Sequence, residues 1–355
     1  MRFSVAPGAL LVLVATPLAA QTPQRYTVSG DNVAIYNLAG TVRVEAGSAG
    51  DVVVEVTRGG SDAAKLDVQT GPLGGRQALR IIYPDDDIVY PAMGYHSSST
   101  IDVRDDGTFD DNDHDHDRHF FGRGHRVRIR GDGSGLEAYA DLRVLVPAGR
   151  RVAIHLAVGK MTATNVNGDI TLDASSADVT ASGVSGSLVA NTGSGDVHAT
   201  DITGDLNLDT GSGNVTVTRA KSDDIDIDTG SGDVTLDHAT GKTLKIDTGS
   251  GNADATAVQA DDLKIDTGSG DVTLELLAGG GTIDVDTGSG EVNLTLPESY
   301  GADVVLDTGS GGIDLGGIPV TVRKIQEDHV EGRIGDGKGR LHVETGSGEV
   351  KLKKA

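Results

Sequence analysis

The chain has 355 residues, a formal net charge of −23, 51 Gly, no Cys and no Trp. So acidic a chain does not suit nucleic acid, whose phosphates would repel it. Aromatic residues make up only 3%, which leaves few of the stacking faces that sugars and bases require. An apolar fraction of 37% still allows a thin core of small β-branched residues, and without Cys that core cannot rely on disulfides.

The N-terminus reads as a secretory signal. Arg2 is followed by the apolar run Ala9–Ala15, and Pro17-Leu18-Ala19-Ala20 ends in small residues. The expected cleavage is after Ala20, with the mature chain starting at Gln21. The apolar run is too short to span a bilayer as a helix, and no second run follows. The sequence therefore predicts an exported chain in the periplasm, cell envelope or medium, with no transmembrane segment after cleavage.

Residues 21–84 form a β-rich N-terminal part. Val33/Ile35, Val42/Val44, Val52/Val54/Val56 and Leu79/Ile81 alternate with polar residues, and Gly, Ser and Asp punctuate them. Residues 85–135 are rich in Asp, Ser and His, and are expected to be a flexible insertion. Within it Asp111, Asp113, His114, Asp115, His116, Asp117 and His119 bring imidazole and carboxylate together. That donor set can hold zinc, nickel or copper, and it marks a candidate divalent-cation site; a solvated tract is the plainer reading. A calcium loop is disfavoured, because His116 stands where that loop requires Gly and no Glu closes it. Phe120 and Phe121 are candidate anchors for this segment, and Arg123, Arg126, Arg128 and Arg130 give it a basic end.

Residues 136–158 return to β pattern, and from 159 to 355 the chain repeats. Thr-Gly-Ser-Gly begins at Thr192, Thr210, Thr229, Thr248, Thr267, Thr287, Thr308 and Thr345, in steps of 18 to 21 residues until a final step of 37. The long step suggests one turn whose signature has been lost. Period-two runs flank each turn, such as Leu263/Ile265 before it and Val272/Leu274 after it. Gly is expected to supply positive φ at the turn. Units of about nineteen residues cannot bury an apolar face alone, but stacked units can. The pattern therefore predicts an all-β fold, a parallel β-solenoid with two short strands per coil. A run of β-hairpins is the competing reading. The connections opposite the turns vary, as in Thr218–Asp224 and Asp237–Thr243, and variable loops on a rigid scaffold often bind.

The turn serines are poor nucleophiles, since a nucleophile elbow needs one strained Ser with His and acid partners. The acids around the turns matter more. Asp209, Asp228, Asp247, Asp266, Asp286 and Asp307 precede it, and Asp196, Asn214, Asp233, Asn252, Asp271 and Glu291 follow it. Stacking would place each set in a column about 5 Å apart, where like charges repel by roughly 3 kcal/mol per pair at an effective dielectric of 20. Backbone N–H groups, bound cations or solvent must answer that repulsion. The outward positions Thr216, Thr235, Asp254, Thr273 and Asn293 are too mixed for an ice-binding array.

The segment "DLRVLVPAGRRVAIHLAVGKMTATNVNGDITL", the tandem "DTGSGDVTL" units and the closing "VEGRIGDGKGRLHVETGSGEVKL" resemble the bacterial putative adhesin family of β-strand-repeat domains of unknown function. The resemblance runs from about Val28 to Leu352, and the stretch 85–135 has no counterpart in the family pattern. It implies an exported solenoid-like domain and brings no catalytic residues and no cofactor. The expected function is non-catalytic: a structural, binding or adhesin-like role at the envelope, with an unknown envelope or surface partner. The alternatives are a polysaccharide-acting β-helix enzyme and a metal-binding or sensing module built on the Asp/His segment.

Overall fold

The structure is a computed structural model and describes residues 22–109, 124–278 and 281–355. From Arg150 onward the chain winds as a parallel solenoid. Strand Arg150–Thr164 pairs in parallel with Gly168–Ser182 along most of its length, running straight through Gly159. Each later coil is split by its turn into two strands. One ladder contains Leu206–Thr210, Asp224–Thr229, Thr243–Thr248, Asp262–Thr267 and Thr282–Thr287. The other contains Val215–Lys221, Val234–Thr240, Ala253–Gln259, Val272–Leu276 and Val292–Leu296. Register is strict because a slip of one residue would turn every apolar side chain outward. Thus Leu206, Ile225, Leu244, Leu263 and Ile283 stack at one inner position, all buried. Each such side chain contributes about 1.5–3 kcal/mol of burial, and only the stack makes that burial complete.

The second ladder bends. In strand Val215–Lys221 the sequence VTVTRAK alternates inward and outward as far as Thr218, then steps over Arg219 so that Ala220 also faces the core. The step needs a left-handed residue, and Asp201, Arg219, His238 and Ala257 occupy it in successive coils at φ 55, 57, 56 and 54. The bend ends at Leu276. There the pairing of Ala255/Val258 with Leu274/Leu276 drops one residue, and the later strands run on straight.

Both ends of the stack depart from chain order. At the front, strand Asn32–Ala46 lies between Arg150–Thr164 on one side and the strands Arg76–Ile82 and Tyr139–Val146 on the other. At the back, the long step from Thr308 to Thr345 is not a decayed coil. Strands Val320–Ile325 and His329–Ile334 form an antiparallel cap on Ala302–Thr308. The chain then turns back, and strand Gly339–Thr345 slides between Thr282–Thr287 and Ala302–Thr308. Thr345 is therefore the stacking neighbour of both Thr287 and Thr308. Spacing along the chain could not reveal this, because it reports order in sequence and not order in the stack.

The described part of the stretch 85–135 forms a separate sheet from Asp87–Val89, Ser98–Arg104 and Gly124–Arg130, completed by Leu136–Glu137. Bonds and packing at and beside its edges tie it to the solenoid, among them the Asp62 N–H donating to the Glu137 carbonyl at 2.9 Å. Tyr83 donates to the buried Asn37 Oδ1 at 2.9 Å, and Asn37 Nδ2 donates to the Ala140 carbonyl at 2.7 Å. Phe109 packs edge-on against Tyr36, with ring centroids 5.8 Å apart. Phe120 and Phe121 lie outside the described residues.

The left-handed step gives a direct test. Ala257 has no side-chain bond to hold it there, and glycine adopts φ 54 without a Cβ penalty. Ala257→Gly should stabilise the fold by about 0.5–1 kcal/mol, after allowing for the added freedom of glycine in the unfolded chain, read as a higher urea midpoint.

Candidate functional site: the turn edge

The Thr-Gly-Ser-Gly turns stack into one continuous edge, and each residue in them has a distinct task. Thr ends the inward series of its strand, as in Leu244, Ile246, Thr248, and is as buried as the aliphatic residues before it. Its hydroxyl is used twice. Thr248 Oγ1 donates to the Gly232 carbonyl of the preceding coil at 3.0 Å and accepts from the Gly251 N–H of its own turn at 3.1 Å. Thr229 and Thr267 repeat the pair of bonds. Valine would fill the same space and leave two backbone groups unpaired in the core.

Apart from Gly195, at φ 154, the glycines are not there for positive φ, contrary to the expectation from sequence. Gly213, Gly232, Gly251 and Gly270 all lie outside the left-handed region. A Cβ on Gly251 would strike the carbonyl oxygen of Gly232 in the coil beneath, and the same collision recurs at Gly232 and Gly270. Glycine is required because backbone approaches backbone. The serines between them, including Ser212, Ser231, Ser250, Ser269 and Ser289, face solvent.

The two acid columns differ in kind. After the turn, each side-chain oxygen accepts from the backbone N–H of the equivalent residue one coil later. Asp196 accepts from Asn214 at 2.9 Å, Asn214 from Asp233 at 2.9 Å, Asp233 from Asn252 at 2.8 Å, Asn252 from Asp271 at 2.9 Å, and Asp271 from Glu291 at 2.8 Å. Asp and Asn are interchangeable here because only the δ-oxygen is used. The repulsion in this column is thus answered by backbone dipoles of the next coil.

Before the turn there is no such answer. Asp209, Asp228, Asp247, Asp266, Asp286, Glu344 and Asp307 stand opposite one another in consecutive registers. Lys245 lies 3.8 Å from Asp247 and Lys264 lies 3.6 Å from Asp266, which offsets part of the charge. Partial burial, followed by the neighbouring charges of Asp247 and Asp209, lifts the Asp228 carboxyl above its ordinary range. Histidines close the column at both ends. His155 is buried, stacked on Tyr36 at 4.4 Å and 3.3 Å from Asp173; His329 Nδ1 lies 2.5 Å from Asp307.

The other sequence candidates fall elsewhere. Asp111, Asp113, His114, Asp115, His116, Asp117 and His119 lie outside the described residues. Among the described residues no three His, Cys, Asp or Glu side chains converge as a metal site. His125, just beyond that segment, faces Asp86 at 3.3 Å and Asp105 at 3.9 Å. The variable connections stack into an open cleft of about 440 Å³ that includes Asp205, Lys221, Asp223 and Lys242, with Lys242 paired to Asp223 at 2.5 Å. A larger opening of about 600 Å³ lies on the small sheet, between Asp86, Asp87 and Asp102 and the guanidinium groups of Arg126 and Arg128. Thr216, Thr235, Asp254, Thr273 and Asn293 do share one outward column.

A family model described as Toastrack DUF4097 matches residues 85–353. The chain belongs to the Toastrack DUF4097 family. The Toastrack match begins at Asp85, so it takes in the small sheet as well as the coils, and it leaves the first strands outside. Two solved structures are similar to this Toastrack chain. A putative cell adhesion protein from Clostridium sporogenes is 11% identical, with 94% of this chain and 100% of that chain covered and a TM-score of 0.21. A putative adhesin from Bacteroides fragilis is 13% identical, with 93% and 95% covered and a TM-score of 0.30. Comparison with curated proteins gives no match.

Two substitutions probe this edge. Thr248→Val should cost about 2–4 kcal/mol, because it strands a buried N–H and a buried carbonyl, whereas Thr248→Ser should retain most of that stability in urea titrations. Asp228→Asn should stabilise the fold at pH 7. A carboxyl whose folded pKa is raised loses stability as it ionises, so the gain should shrink as pH falls through that pKa toward 3.8. Asn191 shows that the column accepts an amide, since its Nδ2 donates to Asp173 at 2.7 Å.

Proposed function

We propose that this Toastrack chain is a non-catalytic exported scaffold that binds a partner at the bacterial cell envelope through its periodic turn edge. The carrying observation is the edge itself. Buried threonines and backbone-only packing hold it rigid, so exposed Ser hydroxyls and flanking carboxylates recur at the coil spacing with little freedom to move. A surface of that kind is ordered before a partner arrives, which lowers the entropy lost on binding. Adhesin-like attachment is the use that best fits a repeated, shallow and preorganised surface. The signal-like N-terminus supports export, and among the described residues no helix is long and apolar enough to cross a membrane.

The test has two arms. Fractionation of the native host should recover the chain outside the cytoplasm, and cytoplasmic recovery would defeat the export half of the proposal. Purified residues 21–355 should bind whole envelopes, and replacing the carboxylates of Asp209, Asp247 and Asp286 by amides should weaken that binding without unfolding the chain. Hydrolysis of envelope glycans by the same preparation would overturn the non-catalytic reading.

A further inference from the structure

The coil from Gly339 onward is inserted out of chain order and is tethered to the rest at one end only. Strand Gly339–Thr345 fills the space between Thr282–Thr287 and Ala302–Thr308, and Val350–Lys354 fills the space between Val292–Leu296 and Ile313–Asp314. The two walls are already joined without it, through residues 297–301. The chain thus builds a slot one coil wide, caps it with the hairpin Val320–Ile334, and fills it afterwards.

The filling coil is held through wall residues. Thr345 Oγ1 donates to the Gly290 carbonyl at 3.0 Å, His342 Nδ1 lies 2.9 Å from Asp284, and Lys351 Nζ donates to Glu291 at 3.3 Å. On the outer side Gly309 N–H donates to the Thr345 carbonyl at 2.8 Å, and Val350 N–H to the Gly312 carbonyl at 3.0 Å. An identical coil from another chain would make every one of these bonds. Only residues 335–338, Gly-Asp-Gly-Lys, connect the coil to its own cap, with Gly335 and Gly337 in left-handed turns at φ 55 and 69. Pulled straight, such a turn reaches about 13 Å and crosses to an adjacent molecule.

We propose that the segment from Gly339 onward exchanges between two copies of this chain, each coil completing the other's slot in a closed two-fold dimer. Exchange needs no new apolar surface, which suits a chain of net charge −23 whose outer faces repel. The front of the molecule lacks this freedom. Strand Asn32–Ala46 is also intercalated, but it runs at both ends into paired strands, Gln24–Val28 and Val52–Gly59, and Tyr83 and Ala140 hold it through Asn37. The inference stands on topology and does not depend on the envelope reading.

The natural chain has no Cys, so single thiols report cleanly. Val305 and His342 face each other across the outer wall and the filling coil. A preparation carrying Val305→Cys and another carrying His342→Cys are unfolded together, refolded at high concentration and oxidised. The expected result is a disulfide-linked heterodimer in the mixture and none in either variant alone, with the double variant in one chain confirming that the pair can oxidise. A second measurement needs no cysteine. Native mass spectrometry of the unaltered chain, refolded in the same way, should show a dimer that is lost when six Gly and Ser residues lengthen the turn at 335–338. An unaltered chain that stays monomeric at all concentrations, or a dimer that persists with the longer turn, overturns the proposal.

Discussion

The close approach of one coil to the next at the turn edge is the constraint on which the rest depends. Carbonyl oxygens of one turn sit where side chains of the next would begin, so the chain has no choice but glycine at Gly232, Gly251 and Gly270. That proximity also lets the Thr hydroxyls bridge coils and lets a δ-oxygen reach the N–H one coil ahead. The same geometry that stacks backbone also stacks charge. One acid column is relieved by backbone donors and the other is not, and the difference lies in which side of the turn the carboxylate stands.

A stack of strands has two open ends, and each end presents unpaired backbone groups that could template aggregation. At the front, Val52–Gly59 runs antiparallel to the coils and interrupts the repeat, Gln24–Val28 pairs antiparallel with it in turn, and Pro72 sits in the outer strand Asp67–Leu73. At the back, the outermost strand Val320–Ile325 carries Arg323 and Lys324 and a register irregularity between Val322 and Lys324. Arg333 first and Arg323 second pair with Asp303, which depresses that carboxyl below its ordinary range and ties the cap to the coil under it.

Much of this was legible in the sequence. Alternation of the kind seen at Leu263/Ile265 and Val272/Leu274 gave the strands their inward faces, and the step of about nineteen residues implied stacking. The structural role of the threonines was also within reach, because Thr267 continues the inward series Leu263, Ile265 at the same period of two. The acid columns were legible too, but the particular contact that each residue makes with the next coil was not. Gly251 looks like a turn glycine by sequence, and only the carbonyl beneath it shows otherwise. Asp266 and Asp271 look equivalent, yet Asp271 has a backbone donor to accept from and Asp266 does not. The left-handed step at Arg219 and Ala257 was hidden because neither residue type favours it; the coil imposes it from outside.

The intercalated coil also bears on how the molecule is made. Residues 302–334 emerge before residues 339–354, so during synthesis the outer wall and its cap must form, or wait, around a space not yet filled. A chain interrupted before Gly339 loses an internal layer and not an outer one, and is left with two facing rows of unpaired backbone in its interior. The fold thereby carries its own completeness check: cooperative closure of the distal end is withheld until the filling segment has been delivered.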